Sequence, residues 1–343
     1  MRTTIKDVAR EANLSVSTVS LALSDKPSRV SPKTKRKVQD VAARLNYRPN
    51  HNALGLVTRK TKMLGIILPD ISNVFFALMA KGASQEADRY QYSLSVFDTD
   101  WNPDKDTQAV NMMLERGADG ILMTCSTLSH SERLLEYIEL CAAEGVPLMI
   151  ADQIPDYIPV HSITSDQELG GYMAASHLLD LGHERIGCIT GAMTTSSSQK
   201  RLYGYIRALQ ERNIVFDSAL IAEGDYRAES GYELTKPLLD QGVSAIFAFN
   251  DTVAYGVMRY MNEIKKNVPN DLSLVGFDDI HFSQMMQVPL TTISQPAYEL
   301  GRTAVQKLIQ MIDDEPVERR TMFEPELIIR ESTRKYDDVS VKR

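Results

Sequence analysis

Between residues 62 and 330 short apolar runs alternate with stretches of helical period, and this alternation constrains the fold more than any other feature of the chain. The runs are Met63–Leu68, Ser93–Phe97, Gly120–Thr124, Pro147–Ala151, Ile186–Thr190, Ala245–Phe249 and Leu272–Phe277. The helical stretches between and after them cover about 75–91, 104–116, 131–144, 168–181, 198–212, 229–240 and 252–264. Runs that are apolar on both alternating faces are buried on both sides, so the sheet they form is parallel with helices on each face. The units are too many for one sheet. The pattern pauses at Pro155–Ser162, at Val288–Leu290 and near Thr321–Pro325, which predicts two doubly wound lobes joined by several crossovers. A cleft between such lobes, at the carboxyl ends of the strands, is the expected ligand site.

The first 60 residues are of another kind. Ile5, Val8, Ala9 and Ala12 share one helical face, and Thr4 with Asp7 three residues on is close to a capping box. Asn13-Leu14-Ser15 breaks the pattern, and Ser15 caps a second helix that turns Val19 and Leu23 inward. Its outward face is Val16, Ser17, Ser20 and Leu21, side chains small and neutral enough to approach base edges. Two helices about a tight turn form either a helical hairpin or a helix-turn-helix, whose second helix enters a DNA major groove. Ser31-Pro32 starts a third helix, to about Leu45. Residues 1–60 hold 13 Lys and Arg against 4 acids, so a head of +9 precedes a body of −16. A basic module on an acidic body suits phosphate binding by the head alone. After it, Pro49-Asn50 begins one or two further helical turns containing Gly55, too short to be stable without a partner. Leu54 and Leu56 on that segment either join a local cluster or wedge into a minor groove.

Other classes receive little support. No apolar run reaches 18 residues, and the N-terminus has no secretory pattern. Cys125, Cys141 and Cys188 are widely spaced and suit buried thiols in a reducing, cytoplasmic compartment. There is no Gly-x-Gly-x-x-Gly after a strand, no phosphate-loop motif and no nucleophile elbow around Ser196–Ser198. The six histidines lack metal-ligand spacing, so neither an enzyme, a cofactor nor a metal site is expected.

Taken together, the motifs Thr4–Ala9, Val16–Ser20, Leu45–Asn50, Gly65–Asp70, Ser72–Phe76, Asn250-Asp251, Val275–Asp279 and Thr291–Pro296 resemble those of the LacI/GalR family of repressors, particularly its purine- and ribose-type members. The resemblance runs over about residues 3–334. It implies an α/β protein with a three-helix head at 1–47, a hinge helix and linker at 48–60, and a two-lobed, periplasmic-binding-protein-like body at 61–334. The first lobe would take about 61–160 and 292–322, the second 161–291 and 323–334. The implied protein is a homodimer, not membrane-bound, that binds a palindromic double-stranded operator and answers to a small molecule, a sugar or sugar derivative. Operator contacts fall on Thr4, Ser15, Val16, Ser17, Thr18, Ser20, Leu21, Arg29, Asn50, Ala53 and Leu56. Effector contacts fall on Asn73, Phe75, Phe76, Asp152, Arg201, Tyr226, Asn250, Asp278 and Gln295, with Ser126 and Gln153 at the rim.

Departures from the family pattern matter as much. Many members carry a basic residue where this chain has Leu21; leucine contacts only apolar surface such as a thymine methyl. The hinge reads Ala53-Leu54-Gly55-Leu56 where Ala-Arg-Ser-Leu is common. Gln153 follows Asp152 where ribose-binding relatives have arginine, which argues against simply copying ribose as the ligand. Tyr226 adds a hydroxyl to a common phenylalanine. A family regulator assisted by a phosphoprotein, and a solute-binding protein of a transporter, are the alternative readings; the basic head speaks against the latter.

Overall fold

The computed structural model describes residues 3–23, 29–47, 60–126, 131–152 and 158–336. The expected hinge helix with Asn50, Ala53 and Leu56 lies outside these residues, as does Gln153. The chain divides into two compact units, Met1–Thr61 and Lys62–Arg343.

The first unit is the three-helix head: α1 (Ile5–Ala12), α2 (Val16–Leu23) and α3 (Pro32–Arg44). Asp7 accepts from the Thr4 amide at 2.9 Å and the Thr4 hydroxyl at 2.7 Å, so the expected start signal is in place. Asn13, at φ 52°, ends α1 in the left-handed conformation that asparagine tolerates. Ser15 and Ser31 cap α2 and α3 by accepting from the amides of Thr18 (3.1 Å) and Thr34 (3.2 Å). The core is Val8, Ala9, Ala12, Val19, Ala22, Val38, Val41 and Ala42. Leu23 is only half-buried at its edge, and Ala22 fills the inward place beside Val19.

The second unit holds two six-stranded sheets. The first, in the order β11-β5-β4-β3-β1-β2, is parallel throughout. Its strands are β1 (Met63–Leu68), β2 (Ser93–Asp98), β3 (Gly120–Met123), β4 (Leu148–Ala151), β5 (His161–Ser165) and β11 (Arg320–Phe323). Alternation sorts β1: Leu64, Ile66 and Leu68 face α4 (Val74–Arg89) and α11 (Ala297–Ile312). Ile67 faces α5 (Pro103–Glu115) and α6 (Ser131–Ala143).

The second sheet runs β12-β10-β9-β8-β6-β7, parallel except where β10 meets β12. It is built from β6 (Ile186–Thr190), β7 (Ile221–Glu223), β8 (Ala245–Ala248), β9 (Ser273–Asp278), β10 (Thr291–Ser294) and β12 (Glu326–Ile328). One face is covered by α7 (Gln167–Asp180) and α8 (Ser196–Glu211), the other by α9 (Ala228–Asp240) and α10 (Asp251–Glu263).

All seven expected strands are present, and the structure adds β5, β7, β10, β11, β12 and the helix α11. Two boundaries move. Residues 161–165, expected in the second lobe, are β5 of the first sheet, because they pair with β4 and the chain crosses to the other sheet only afterwards. Residues 292–294, expected in the first lobe, belong to β10, which pairs with β9 from Thr291↔Val275 onward. The chain therefore crosses between lobes three times, after β5, β10 and β11. Among the described residues no helix is long and apolar enough to cross a membrane, and no group of three or more His, Cys, Asp or Glu is placed to hold a metal ion.

Candidate functional site

The carboxyl ends of the strands of both sheets face a narrow cleft whose cavity volume is about 20 Å³, room for about one water molecule. Asn73 begins α4 and caps it, its side-chain oxygen accepting from the Phe75 amide at 3.0 Å. The cap fixes the first turn, which places Phe75 and Phe76 edge to face, 5.3 Å apart, as a buried apolar wall. Asp152 follows β4 and Asp278 ends β9, both buried. Asp278 sits at φ 106°, a conformation that costs a non-glycine residue about 1–3 kcal/mol and aims its carboxyl inward only because the surroundings hold it there.

From α8, Arg201 reaches the floor of the cleft. It is 4% exposed, so its charge is turned into the protein and not to solvent. Its guanidinium lies over the Phe277 ring at 3.7 Å and donates to the Phe249 carbonyl. Its Nε donates to Gln167 Oε1 at 2.8 Å. Gln167 Nε2 in turn donates to Gln295 Oε1 (2.8 Å) and Asp152 Oδ1 (3.2 Å). Gln295 Nε2 donates to Asp278 Oδ1 at 2.7 Å, and that oxygen is 3.9 Å from Arg201 Nη2. The polar groups of the floor thus form a closed ring in which each orients the next, as buried polar groups must to offset desolvation. The approach of α7 to α8 that permits this depends on Gly171, where a Cβ would stand 2.2 Å from the Arg201 carbonyl oxygen.

Burial pushes the Asp278 carboxyl up to about 8, against the opposing pull of Arg201. Burial likewise pushes Asp251 up to about 7, although the hydroxyls of Ser283 and Thr292 and the Ile280 amide all donate to it. Asp251 buttresses the site from behind. Asp279 does the same, paired with Arg330 at 2.6 Å, so the two successive aspartates have separate tasks.

Tyr226 forms the opposite wall. Its hydroxyl is within hydrogen-bond distance of Ser198 (2.6 Å) and Ser197 (3.0 Å), and its carbonyl accepts from Asn250 Nδ2 at 3.0 Å. Asn250 also caps α10, accepting from the Val253 amide at 2.8 Å, so its cap role and its place in the cleft coexist. Eight of the expected effector residues line the cleft: Asn73, Phe75, Phe76, Asp152, Arg201, Tyr226, Asn250 and Asp278. Gln295 lies behind them as the partner of Asp278. Ser126 is not at the rim; it is buried, donating to Asp106 at 2.7 Å and bonded to Thr99 at 3.0 Å, because the chain after β3 turns under the end of β2. Trp101, Ser197 and Gln167 were not anticipated. Trp101 follows the end of β2, where residues past a strand's carboxyl end face such clefts, and that position was its signal. Gln167 carries no sequence signal.

On the head, Val16 (41%) and Leu21 (51%) are exposed although apolar. Ser15, Ser17, Thr4 and Arg29 are also exposed, while Thr18 and Ser20 are half-buried. The second helix therefore presents an uncharged ridge to solvent, which suits entry into a major groove.

Comparison with known proteins agrees with both halves. Residues 4–50 match the model for bacterial regulatory proteins of the lacI family, and residues 175–333 match a periplasmic binding protein-like domain. The chain is 36% identical to catabolite control protein A of Priestia megaterium, over 97% of this chain and 100% of that protein. It is 35% identical to the ribose operon repressor of Haemophilus influenzae, over 96% and 98%. Its structure resembles the lac repressor dimer bound to operator and the anti-inducer ONPF, with a TM-score of 0.88 and 29% identity, covering 97% of this chain and 100% of that one. With a helix-turn-helix head followed along the chain by a two-lobed effector-binding body, the chain belongs to the lacI family of DNA-binding transcriptional repressors.

Proposed function

We propose that this repressor binds a palindromic operator as a homodimer and is controlled by a sugar held between its lobes. The observation that carries the sugar reading is the pairing of polar and apolar walls. Asn73, Asp152, Arg201, Asn250 and Asp278 offer planar amides, carboxyl groups and a guanidinium, each able to engage hydroxyls through two atoms. Phe75, Phe76 and the stacked Trp101–Tyr226 pair offer apolar surface to the C–H side of a ring. A planar base sandwiched between two aromatic faces would hold them about 7 Å apart. The Trp101 and Tyr226 rings stack with centroids 5.9 Å apart, which favours a ligand beside the pair over a base between them.

The named relatives are compatible with this. The Haemophilus protein represses a ribose operon, and the lac repressor complex is an operator-bound dimer with an anti-inducer. On the head, Val16, Ser17 and Leu21 would read bases, with Thr4, Ser15, Thr18, Ser20 and Arg29 along the backbone and Asn50, Ala53 and Leu56 in the minor groove. Effector binding shifts the balance between two lobe arrangements, and with it the operator affinity. A thermal-shift screen against sugars, sugar phosphates and nucleobases tests the reading. A ligand at about 100 times its Kd stabilises the fold by about 2.7 kcal/mol. Stabilisation by sugars alone is expected; stabilisation by nucleobases alone would sink the proposal.

A further inference from the structure

Two residues of each lobe meet across the mouth of the cleft. From the first lobe come Asp100 and Trp101, which follow β2. From the second come Tyr226 and Arg227, which precede α9. The Trp101 and Tyr226 rings are stacked, 5.9 Å between centroids and 17° between planes. Beside them Arg227 Nη2 lies 3.5 Å from Asp100 Oδ1, while Lys105 Nζ lies 3.6 Å from the other Asp100 oxygen.

Each jaw is anchored to its own lobe. The Thr99 and Trp101 amides donate to the carbonyls of Leu68 and Pro69, both at 2.9 Å. The Thr99 hydroxyl is held by Ser126, which is held by Asp106. On the other side Ser197 and Ser198 hold the Tyr226 hydroxyl and Asn250 holds its carbonyl. The Tyr226 ring lies so close to the Gly191 backbone that a Cβ there would come within 2.0 Å of it. Three of the four clasp residues, Asp100, Trp101 and Tyr226, have positive φ values of 51°, 54° and 67°. Neither jaw is free to bend toward the other, so the ring stack and the ion pair persist only while the lobes are together.

We propose that Asp100-Trp101 and Tyr226-Arg227 form a clasp that closes the cleft mouth and that must open for effector to enter or leave. This rests on the reading of the cleft as the effector site. A weaker clasp lowers the population of the closed arrangement, and the apparent effector affinity falls by that fraction.

Trp101 is the single tryptophan of the chain, so its fluorescence reports on the clasp directly. The test is the emission maximum and acrylamide quenching of the full chain without any ligand, for the native protein, Arg227→Glu, Asp100→Asn and the double variant Asp100→Lys with Arg227→Glu. The substituted side chains are more than half exposed, and far-UV circular dichroism checks that each variant folds. The expected result is a red shift and stronger quenching in both single variants, from a change of about two- to fivefold in the open-to-closed ratio, the range of an exposed ion pair. Restoration in the double variant is expected, and 1 M salt should move the native protein in the same direction as the single variants, by screening. Unchanged quenching in both folded single variants, or no restoration in the double variant, would overturn the clasp. A ligand panel without a hit, beside intact clasp behaviour, would count against the effector reading alone.

Discussion

Leu21 stands 51% exposed on the ridge of α2, an apolar side chain held out to water by a helix whose buried face is Val19 and Ala22. At that step it has only van der Waals surface to offer a base, so Leu21→Arg should shift preference toward guanine at one symmetric pair of operator positions. Selection of operator variants from a randomised pool checks this; an unchanged consensus would remove Leu21 from the reading set. In the body the decisive residue is Asp278. Its carboxyl holds a proton in the folded protein up to about pH 8, whereas the ordinary carboxylate value is 3.8. Between those limits the native state binds a proton that the unfolded chain has released, so stability falls as pH rises through that window. Asp251, raised to about 7, acts in the same direction. Melting temperature should therefore decline with pH over this range, and Asp278→Asn should reduce the slope without abolishing it. At this scale the sequence announced Asp278 and Asn250 through their motifs, and Arg201 through the family resemblance. It was silent on Gln167, which reaches Asp152, Gln295 and Arg201 only because crossovers bring residues 128 positions apart within 2.8 Å.

The interior strands were legible because burial on both faces makes them continuous apolar runs: β1, β3, β4, β8 and β9 are buried almost throughout. Edge and near-edge strands such as β5 and β11 read as His161-Ser-Ile-Thr-Ser165 and Arg320-Thr-Met-Phe323, too polar to stand out. Their pairing is set by what the rest of the sheet leaves unpaired, not by local preference. The helices were placed within two residues or so because caps mark them: Asn73, Asn102, Asp166, Thr195 and Asn250 each accept an amide of the first turn. How closely two helices approach is a separate matter, visible only in the packing. Gly171→Ala should force α7 away from Arg201, cost about 1–3 kcal/mol by overpacking and displace the guanidinium from the cleft floor. Urea unfolding should show a lower midpoint, together with a weakened effector response; an unchanged midpoint would show that the crossing relaxes freely.

The whole molecule separates two kinds of chemistry, a basic head of +9 and a body of −16. A head that works through phosphates should lose operator affinity by about 10³-fold or more between about 50 and 200 mM salt. A flat salt dependence, measured by fluorescence anisotropy with a labelled operator, would contradict that. The amino-acid order alone determined that a helical, basic module precedes a doubly wound body. Capping, periodicity and charge are local properties, written within a few residues of where they act. The tertiary structure alone decided where the chain changes lobes, which glycines let helices touch, and that Trp101 meets Tyr226. Those depend on contacts between segments far apart in sequence, 30 positions for Gly171 and Arg201 and 125 for Trp101 and Tyr226, whose geometry is set by packing and by no short stretch of the chain.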